Sequence, residues 1–371
     1  MTRLILTTSD SGGGALKAAG IADIVIPFEV RLVWGPPPSD AELAHLLAAP
    51  SAERRPVSQW LDCLSQRHRE EIEPKGVGLI EFCAQCGSAE LWIDPVPNAQ
   101  LTLIWLLDRF RSHREAASKL KLRQSDLVLG GQSPESLAKS PPVAVEISDD
   151  HLDAAALAWH AYRASTPKAW SDLLSRDLSA LPQLRSTVLA LLEELPMPAT
   201  GLGATEMRLL ELIADGCTHP GDLFPDHQKR NTRRVFGYWE VGALVDGLAR
   251  GSVPAISGLA EGPFTLEMHE DASRHRRYKQ SRLSLTALGE AILAQADDFS
   301  RHNPIHRWWG GTELTNEHLW RWTRSTARCS RLEALRPPID ILRSLCPGST
   351  RQNPSSSSLL LDGCASQARA R

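Results

Sequence analysis

The residues best suited to chemistry follow the apolar run Arg3 to Thr8, in the stretch Ser9-Asp-Ser-Gly-Gly-Gly14. A strand, a glycine-rich turn and a helix in succession present unpaired backbone N–H groups that attract an anion such as a phosphate. Glycine also lets a ligand approach the backbone closely. The pattern is incomplete, because Lys17 stands where the dinucleotide-binding motif needs its third glycine, and no P-loop Gly-Lys-Ser/Thr is present. The stretch is therefore either a flexible turn or an anion-binding turn formed by Asp10, Ser11, Gly12, Gly13 and Gly14.

A second polar group follows the strand-like run Glu90 to Ile93 and contains Asp94, Asn98 and Gln100. In an open α/β sheet the carboxyl ends of parallel strands form one edge, where ligands generally bind. Asn98 and Gln100 are candidate ligand-binding residues there. Asp10 and Asp94 are the candidate catalytic pair, since two carboxylates could hold a divalent cation or perform acid–base catalysis. The alternative is that Asn98 caps a helix and Asp94 is a turn residue.

Other catalytic classes lack their motifs. The 12 histidines include no H-E-x-x-H pattern, and no G-x-S-x-G nucleophile elbow is present, which disfavours metallohydrolases and serine hydrolases. Seven cysteines at irregular spacing favour reduced thiols over a disulfide framework. The pair Cys83 and Cys86 has no second pair to complete a zinc site. We predict no metal site from these residues, and the sequence identifies no cofactor.

The elements that must position these residues form a predicted α/β domain over residues 1–145. Strand-like and helix-like segments alternate there, which predicts an open, mostly parallel sheet. Its predicted strands are Arg3–Thr8, Ile21–Ile26, Gly78–Phe82, Glu90–Ile93 and Leu127–Leu129, and its longer helices are Val57–Ile72 and Leu101–Phe110. Apolar residues at helical spacing without strand signals then predict an all-α connector over residues 146–198.

Residues 199–300 have the pattern of a winged-helix-like α+β domain. Helices are predicted at Thr205–Ala214, Gly221–Gln228, Arg233–Leu248 and Thr286–Leu293, with a hairpin of Phe264–Met268 and Arg282–Leu285 whose tip is Glu270–Lys279. Basic residues lie at the start of the long helix and at the hairpin tip, where such domains contact DNA phosphates. These nucleic-acid candidates are Arg233, Arg234, Arg276, Arg277 and Lys279. The long helix is apolar, carries Glu240 and Asp246, and lacks side chains that read bases, so docking of a protein partner through residues 229–282 is the alternative.

The chain closes with two segments of different composition. Residues 301–322 hold four of the 11 tryptophans, which predicts that this segment packs against the rest of the protein. Residues 323–371 contain a serine run and arginine without lysine, which predicts a disordered tail and also fits translation in a shifted frame. The net charge is −3, and no apolar stretch approaches the ~18 residues of a membrane span, so we expect a cytoplasmic protein without membrane contact.

Several short motifs along residues 3–322 resemble the bacterial family known as domain of unknown function 1835. They are Asp10-Ser11 with Gly14, Gly35-Pro36 with Pro38, Trp92 with Asp94, Gln100 and Leu101, Ser133-Pro134-Glu135, Arg307-Trp308 with Gly310-Gly311, and Trp320-Arg321-Trp322. Thr8-Ser9, Val33-Trp34 and Ala99 depart from the family's Asn-Gly, His-Glu and Asp. The resemblance implies no assigned activity, and it implies that relatives end soon after Trp322.

Two functions follow from these observations as hypotheses. The first is a regulatory protein that senses a small phosphorylated or nucleotide-like ligand through the first turn and transmits the signal through the winged-helix-like domain. The second is a transferase or hydrolase for a phosphorylated or nucleotide substrate, with Asp10 and Asp94 supporting a metal ion. A module that binds DNA or protein without a small ligand is a further alternative.

Overall fold

The computed structural model describes residues 2–50, 59–231, 233–323 and 328–331. A five-stranded sheet organises the first part of the chain, with strands β1 (Arg3–Thr7), β2 (Ile24–Pro27), β3 (Ser88–Ile93), β4 (Leu120–Gln124) and β5 (Val145–Glu146). The order is β2-β1-β3-β4-β5. The first four strands are parallel, whereas β5 runs antiparallel to β4. The predicted open, mostly parallel sheet is therefore confirmed.

Seven helices accompany this sheet in the described residues. They are α1 (Asp10–Ala19), α2 (Asp40–Leu47), α3 (Gln66–Ile72), α4 (Leu79–Gln85), α5 (Pro97–Phe110), α6 (Arg114–Ser118) and α7 (Pro134–Lys139), with 3-10 turns at Trp60–Cys63, Glu73–Lys75 and Leu129–Gly131. Helix α1 follows β1 directly and ends at Gly20, whose φ of 63° is the left-handed conformation that glycine adopts most easily. Helix α5 is buried on nearly every face, because it lies between the sheet and the helices that follow.

Three sequence predictions in this region were wrong. The run Gly78–Phe82 begins helix α4 rather than a strand, because Glu81 accepts the N–H of Gly78 at 3.3 Å and starts a helix. The last parallel strand is β4, and Leu129 begins a 3-10 turn; the alternating Lys121 and Arg123 obscured the strand in the sequence. The helix expected over 57–72 is the 3-10 turn at Trp60 followed by α3, and residues 57–58 lie outside the described part.

Residues 149–192 are helical, as the sequence pattern predicts. They form α8 (Asp149–Tyr162), α9 (Lys168–Asp172), a 3-10 turn (Leu173–Ser175) and α10 (Leu184–Leu192). Trp159, Tyr162 and Trp170 are fully buried in the same hydrophobic core as the sheet residues Leu4 and Leu91. These helices therefore extend the core of the sheet.

A second hydrophobic core lies within residues 202–299, around Leu209, Leu223, Val245 and Ile292. Its elements are α11 (Ala204–Ala214), α12 (Pro220–Arg230), α13 (Tyr238–Arg250), β6 (Ile256–Ser257), α14 (Leu266–Glu270), α15 (Ala272–Gln280), β7 (Ser284–Leu285), α16 (Ala287–Leu293) and α17 (Phe299–His302). Strands β6 and β7 pair antiparallel.

The predicted hairpin in this region was wrong in its first strand and its tip. The strand that pairs with β7 is β6, while Phe264–Met268 leads into α14 and residues 272–280 form α15. Thr265 and Asp271 each accept backbone N–H groups at the start of these two helices, and this local capping favours helix over hairpin. Helix α13 begins at Tyr238, so Arg233 and Arg234 precede it instead of starting it.

The last described segments are two strand pairs, β8 (His306–Trp309) with β9 (Thr312–Thr315) and β10 (Trp320–Thr323) with β11 (Arg328–Arg331). The indole N–H of Trp309 donates to the carbonyl of Leu191 at 2.7 Å, which fastens this end of the chain to the first core. Thr323 and residues 328–331 belong to the predicted disordered tail 323–371 but form part of the β10–β11 strand pair. Residues 324–327 and 332–371 lie outside the described part. Within the described residues no helix combines the length and apolarity that a membrane crossing requires.

Candidate functional site

A cleft of about 300 Å³ opens at the carboxyl edge of the parallel sheet. One wall comes from the segments after β1, β2 and β3, and the facing wall comes from the approach to α13. Its polar and aromatic lining residues are Thr8, Ser9, Ser11, Glu29, Arg31, Asp94, Asn98, Arg234, Phe236, Tyr238, Trp239 and Glu240. We call this space the cleft. It lies where an open α/β sheet usually binds its ligand, and both hydrophobic cores border it.

The glycine-rich stretch belongs to helix α1 and not to a turn before it. Ser9 is the N-cap: its hydroxyl accepts the N–H of Gly12 at 3.2 Å, and its carbonyl accepts the N–H of Gly13 at 2.9 Å. The N–H groups of Asp10 and Ser11 have no hydrogen-bond partner in the part of the chain that the structure describes. Two backbone donors of the first helical turn thus remain available, and Ser11 lines the cleft.

Gly12 and Gly13 are needed for the packing of α1. A Cβ atom on Gly12 would lie 2.7 Å from the Ser9 hydroxyl oxygen and 3.3 Å from Cβ of Leu129, and one on Gly13 would lie 2.8 Å from Cβ of Pro27. Both glycines are buried, whereas Gly14 is exposed and has open space around it. Close contact with neighbouring protein atoms therefore accounts for Gly12 and Gly13.

Asp94 is buried at the end of β3 and both of its carboxylate oxygens are engaged. Oδ2 accepts the hydroxyl of Ser9 at 2.8 Å, and Oδ1 accepts the N–H of Leu129 at 2.6 Å. Burial raises the pKa of Asp94, although these two hydrogen bonds and the guanidinium of Arg234 act in the opposite direction. The carboxylate thereby joins the ends of β1 and β3 to the 3-10 turn at Leu129.

The two candidate catalytic carboxylates differ in environment. Asp10 is exposed in the first turn of α1, while Asp94 is buried and oriented by protein donors. In the described residues no group of three or more His, Cys, Asp or Glu side chains is arranged to hold a metal ion. The geometry thus gives the metal-assisted hypothesis no ligand set beyond these two side chains.

Asn98 and Gln100 position the walls of the cleft. The side chain of Asn98 accepts the N–H of Leu32 and donates to the carbonyl of Val30, both at 2.8 Å. It is not the helix N-cap that the sequence suggested, because α5 begins at Pro97. Buried Gln100 donates to the carbonyl of Asp94 at 2.8 Å and thereby supports the strand end that carries the carboxylate.

Charged groups of both signs surround the cleft. Arg31 pairs with Glu240 at 3.0 Å, which bridges the loop after β2 and the first turn of α13. Loss of solvation is the main cause that raises the pKa of Glu29, and the nearby Asp10 carboxylate raises it further. The pKa is raised even though the residue is exposed. Partial burial lowers the pKa of Arg234, and the nearby Asp94 carboxylate acts in the opposite direction. The site therefore combines carboxyl groups that take up protons readily with two guanidinium groups.

Helix starts add further positive potential. The N-termini of α1, α5 and α13 all contribute lining residues, namely Ser11, Asn98 and Tyr238 among others. Each helix start carries a partial positive charge. At the start of α13 Glu240 accepts the N–H of Gly237 at 2.9 Å, and Pro97 brings no N–H to the start of α5. Thr8 also lines the cleft, is 5 % exposed, and its hydroxyl has no hydrogen-bond partner among the described residues. An unpartnered buried hydroxyl is uncommon unless a ligand or a water satisfies it.

The nucleic-acid candidates lie in different surroundings. Arg233 and Arg234 lie in the loop before α13. Arg234 lines the cleft, whereas Arg233 donates to the Ser186 hydroxyl at 3.0 Å. Arg277 is paired with Glu261. Arg276 and Lys279 are exposed on α15.

Sequence reasoning missed several residues of the cleft. Glu29, Arg31, Tyr238 and Trp239 belong to no motif, and the only signal for Glu29 and Arg31 was their location after the second strand of the sheet.

The sequence disfavoured Cys83 and Cys86 as a metal or redox pair. Burial raises the pKa of Cys86 to about 11 and also raises the pKa of Cys83. A redox role needs a lowered thiol pKa.

Comparisons with known proteins leave the family open. No family model matches the chain, and no curated protein matches it either. A crystal structure of the DNA-binding, cleavage and re-ligation domain of Plasmodium falciparum topoisomerase II is similar at 11 % sequence identity and a TM-score of 0.45, covering 89 % of this chain. The similarity extends over 54 % of that chain. So low a TM-score carries no argument about fold or function, and the resemblance to domain of unknown function 1835 stays a prediction.

Proposed function

We propose that this protein binds a small phosphorylated ligand in the cleft and acts as a ligand sensor. The observation that carries the proposal is the convergence of three helix N-termini and two arginines on one polar space bordered by both hydrophobic cores. Unpaired N–H groups and guanidinium groups are the usual partners of a phosphate. The unpartnered Thr8 hydroxyl offers one more hydrogen bond.

The carboxyl groups define the rest of the ligand. A bare anion would meet repulsion from Glu29 and Glu240, whereas a ligand with hydroxyl groups can donate to these carboxylates. A sugar phosphate satisfies both halves of the cleft: its phosphate faces Arg234 and the starts of α1 and α5, and its hydroxyls face Glu29 and Glu240. Glu240 also holds Arg31 and the N–H of Gly237. The raised pKa of Glu29 further lessens the repulsion, because protonation removes its charge.

The sensing role rests on the two walls of the cleft. A ligand held between the sheet edge and the start of α13 contacts both cores at once, and binding therefore stabilises their arrangement. The region around the second hydrophobic core, which contains α13, is the proposed output. The enzyme hypothesis has weaker support, since Asp94 is fully engaged by Ser9 and Leu129 and Asp10 is exposed.

Isothermal titration of the full chain with ribose 5-phosphate tests the proposal. Arg234→Gln removes a charge-assisted hydrogen bond worth ~1.5–3 kcal/mol and is expected to weaken binding roughly 10- to 150-fold. Arg276→Gln is the matched control, because Arg276 is an exposed arginine on α15 and its loss leaves the cleft intact. Hydrogen exchange at residues 237–241 is expected to slow when the ligand is bound.

Two results would contradict the proposal. One is the absence of binding by ribose 5-phosphate to a folded wild-type chain. The other is an equal loss of affinity in Arg234→Gln and Arg276→Gln, which would mean that the ligand responds to the total charge of the protein and not to Arg234 in the cleft. Asp10→Ala is a further variant suited to this titration, whereas a side chain at Gly12 would collide with Ser9 and disturb the fold.

A further inference from the structure

A second cavity adjoins the cleft and has a different chemical character. It measures about 210 Å³ and is lined mainly by apolar and aromatic side chains. Its lining residues include Trp34, Phe236, Trp308, Glu194 and Arg307. We call it the aromatic cavity. Val33, Val235 and Phe236 line both spaces, so the two lie side by side.

The aromatic cavity offers ring faces to a planar group. Trp34 is 37 % exposed, although large aromatic side chains are usually buried in the interior. Its ring lies 5.6 Å from that of Phe236 in an edge-to-face arrangement. Trp308 and Phe236 are half-buried as well. A planar ligand that covered these rings would gain stacking and remove apolar surface from water.

Polar groups in the same wall call for a ligand with hydrogen-bonding atoms. Arg307 donates to Glu206 through Nη1 at 3.0 Å, while its buried Nη2 has no partner among the described residues. A buried donor without an acceptor is costly, and a heterocyclic nitrogen or carbonyl oxygen would satisfy it. Glu194 adds a fully buried carboxyl group that holds the N–H and hydroxyl of Thr205.

We propose that the aromatic cavity holds the nucleobase of a nucleotide whose phosphate lies in the adjoining cleft. This inference rests on the proposed function and specifies its ligand class: a phosphate for the helix starts, a sugar for the carboxylates and a planar heterocycle for Trp34 and Phe236. A cavity of about 210 Å³ is large enough for one such ring system, since an apolar cavity of ~150 Å³ holds benzene.

Titration of the full chain with three probes tests the inference: adenosine 5′-monophosphate, ribose 5-phosphate and adenosine. Stacking of one base on aromatic side chains is expected to make the nucleotide bind roughly 5- to 150-fold more tightly than ribose 5-phosphate. Trp34→Ala is expected to abolish that difference and to leave the affinity for ribose 5-phosphate unchanged. Val143→Ala is the control, because Val143 is 81 % exposed and lines neither of the two spaces.

The outcomes separate the two proposals. Equal affinity for the nucleotide and ribose 5-phosphate overturns the base site and leaves the phosphate site standing. Adenosine binding as tightly as the nucleotide overturns the phosphate site and keeps the aromatic cavity. Failure of all three probes overturns both. Thermal unfolding of Trp34→Ala distinguishes a lost contact from a lost fold, and a folded variant with an undiminished nucleotide preference refutes the role of Trp34.

Discussion

Replacement of Asp94 tests how the cleft is held together. Asp94→Ala leaves the N–H of Leu129 buried without an acceptor, which costs ~1–3 kcal/mol. The same change removes the acceptor of the half-buried Ser9 hydroxyl. The loss of this hydrogen bond costs ~0.5–1.5 kcal/mol. We therefore expect the free energy of unfolding to fall by about 2–4 kcal/mol. Asp94→Asn keeps an oxygen for Leu129 and should cost less than about 1 kcal/mol.

The same pair of variants predicts a pH dependence. Because the folded state raises the pKa of Asp94, the folded protein binds its proton up to a higher pH than the unfolded chain does. This stabilising contribution is complete below the ordinary aspartate pKa and is lost as the pH rises through the raised folded value. Asparagine cannot ionise, so the free energy of unfolding of Asp94→Asn relative to wild type should increase as the pH rises from the ordinary aspartate pKa through the raised folded value.

Urea unfolding of the full chain, followed by tryptophan fluorescence, measures both effects. Asp10→Ala is the control, since this exposed residue should change the free energy of unfolding by no more than ~0.5 kcal/mol. The reasoning is refuted if Asp94→Ala is as stable as the control, or if Asp94→Asn is as unstable as Asp94→Ala. A pH-independent difference between Asp94→Asn and wild type would contradict the linkage.

Two further predictions concern buried and cleft charges. Arg321→Met should lower the free energy of unfolding by about 3–5 kcal/mol in urea titrations, because it leaves the buried Asp298 carboxylate, 2.7 Å from the guanidinium, without its partner. Exposed Arg301→Met is its control, and equal loss in both variants would count against the buried pair. Wild-type binding of ribose 5-phosphate should tighten as the pH falls and Glu29 protonates. Glu29→Gln should bind it more tightly near pH ~7 and show a weaker pH dependence by calorimetry; an unchanged profile would exclude Glu29 from the site.

The sequence alone determined the elements whose patterns are local. The apolar run of β1, the glycine that ends α1 and the helical spacing of α5 are encoded within a few residues, and the structure has all three. The parallel sheet followed from the alternation of strands and helices. Where the local pattern was short, as at Gly78–Phe82, apolar runs of strand and helix look alike, and capping by Glu81 decided in favour of the helix.

Only the tertiary structure decided which residues form the cleft. Asp10 and Asp94 could be assigned to one edge of the sheet from the sequence, yet their burial and partners could not. The charge of Arg234 acts on the carboxyl of Asp94, and Arg31 pairs with Glu240, because distant segments of the chain come together at the cleft. Such contacts join residues more than a hundred positions apart, and no local periodicity carries that information. Ser9 caps the start of α1 locally, whereas the packing of distant segments places that helix start beside a charged cleft.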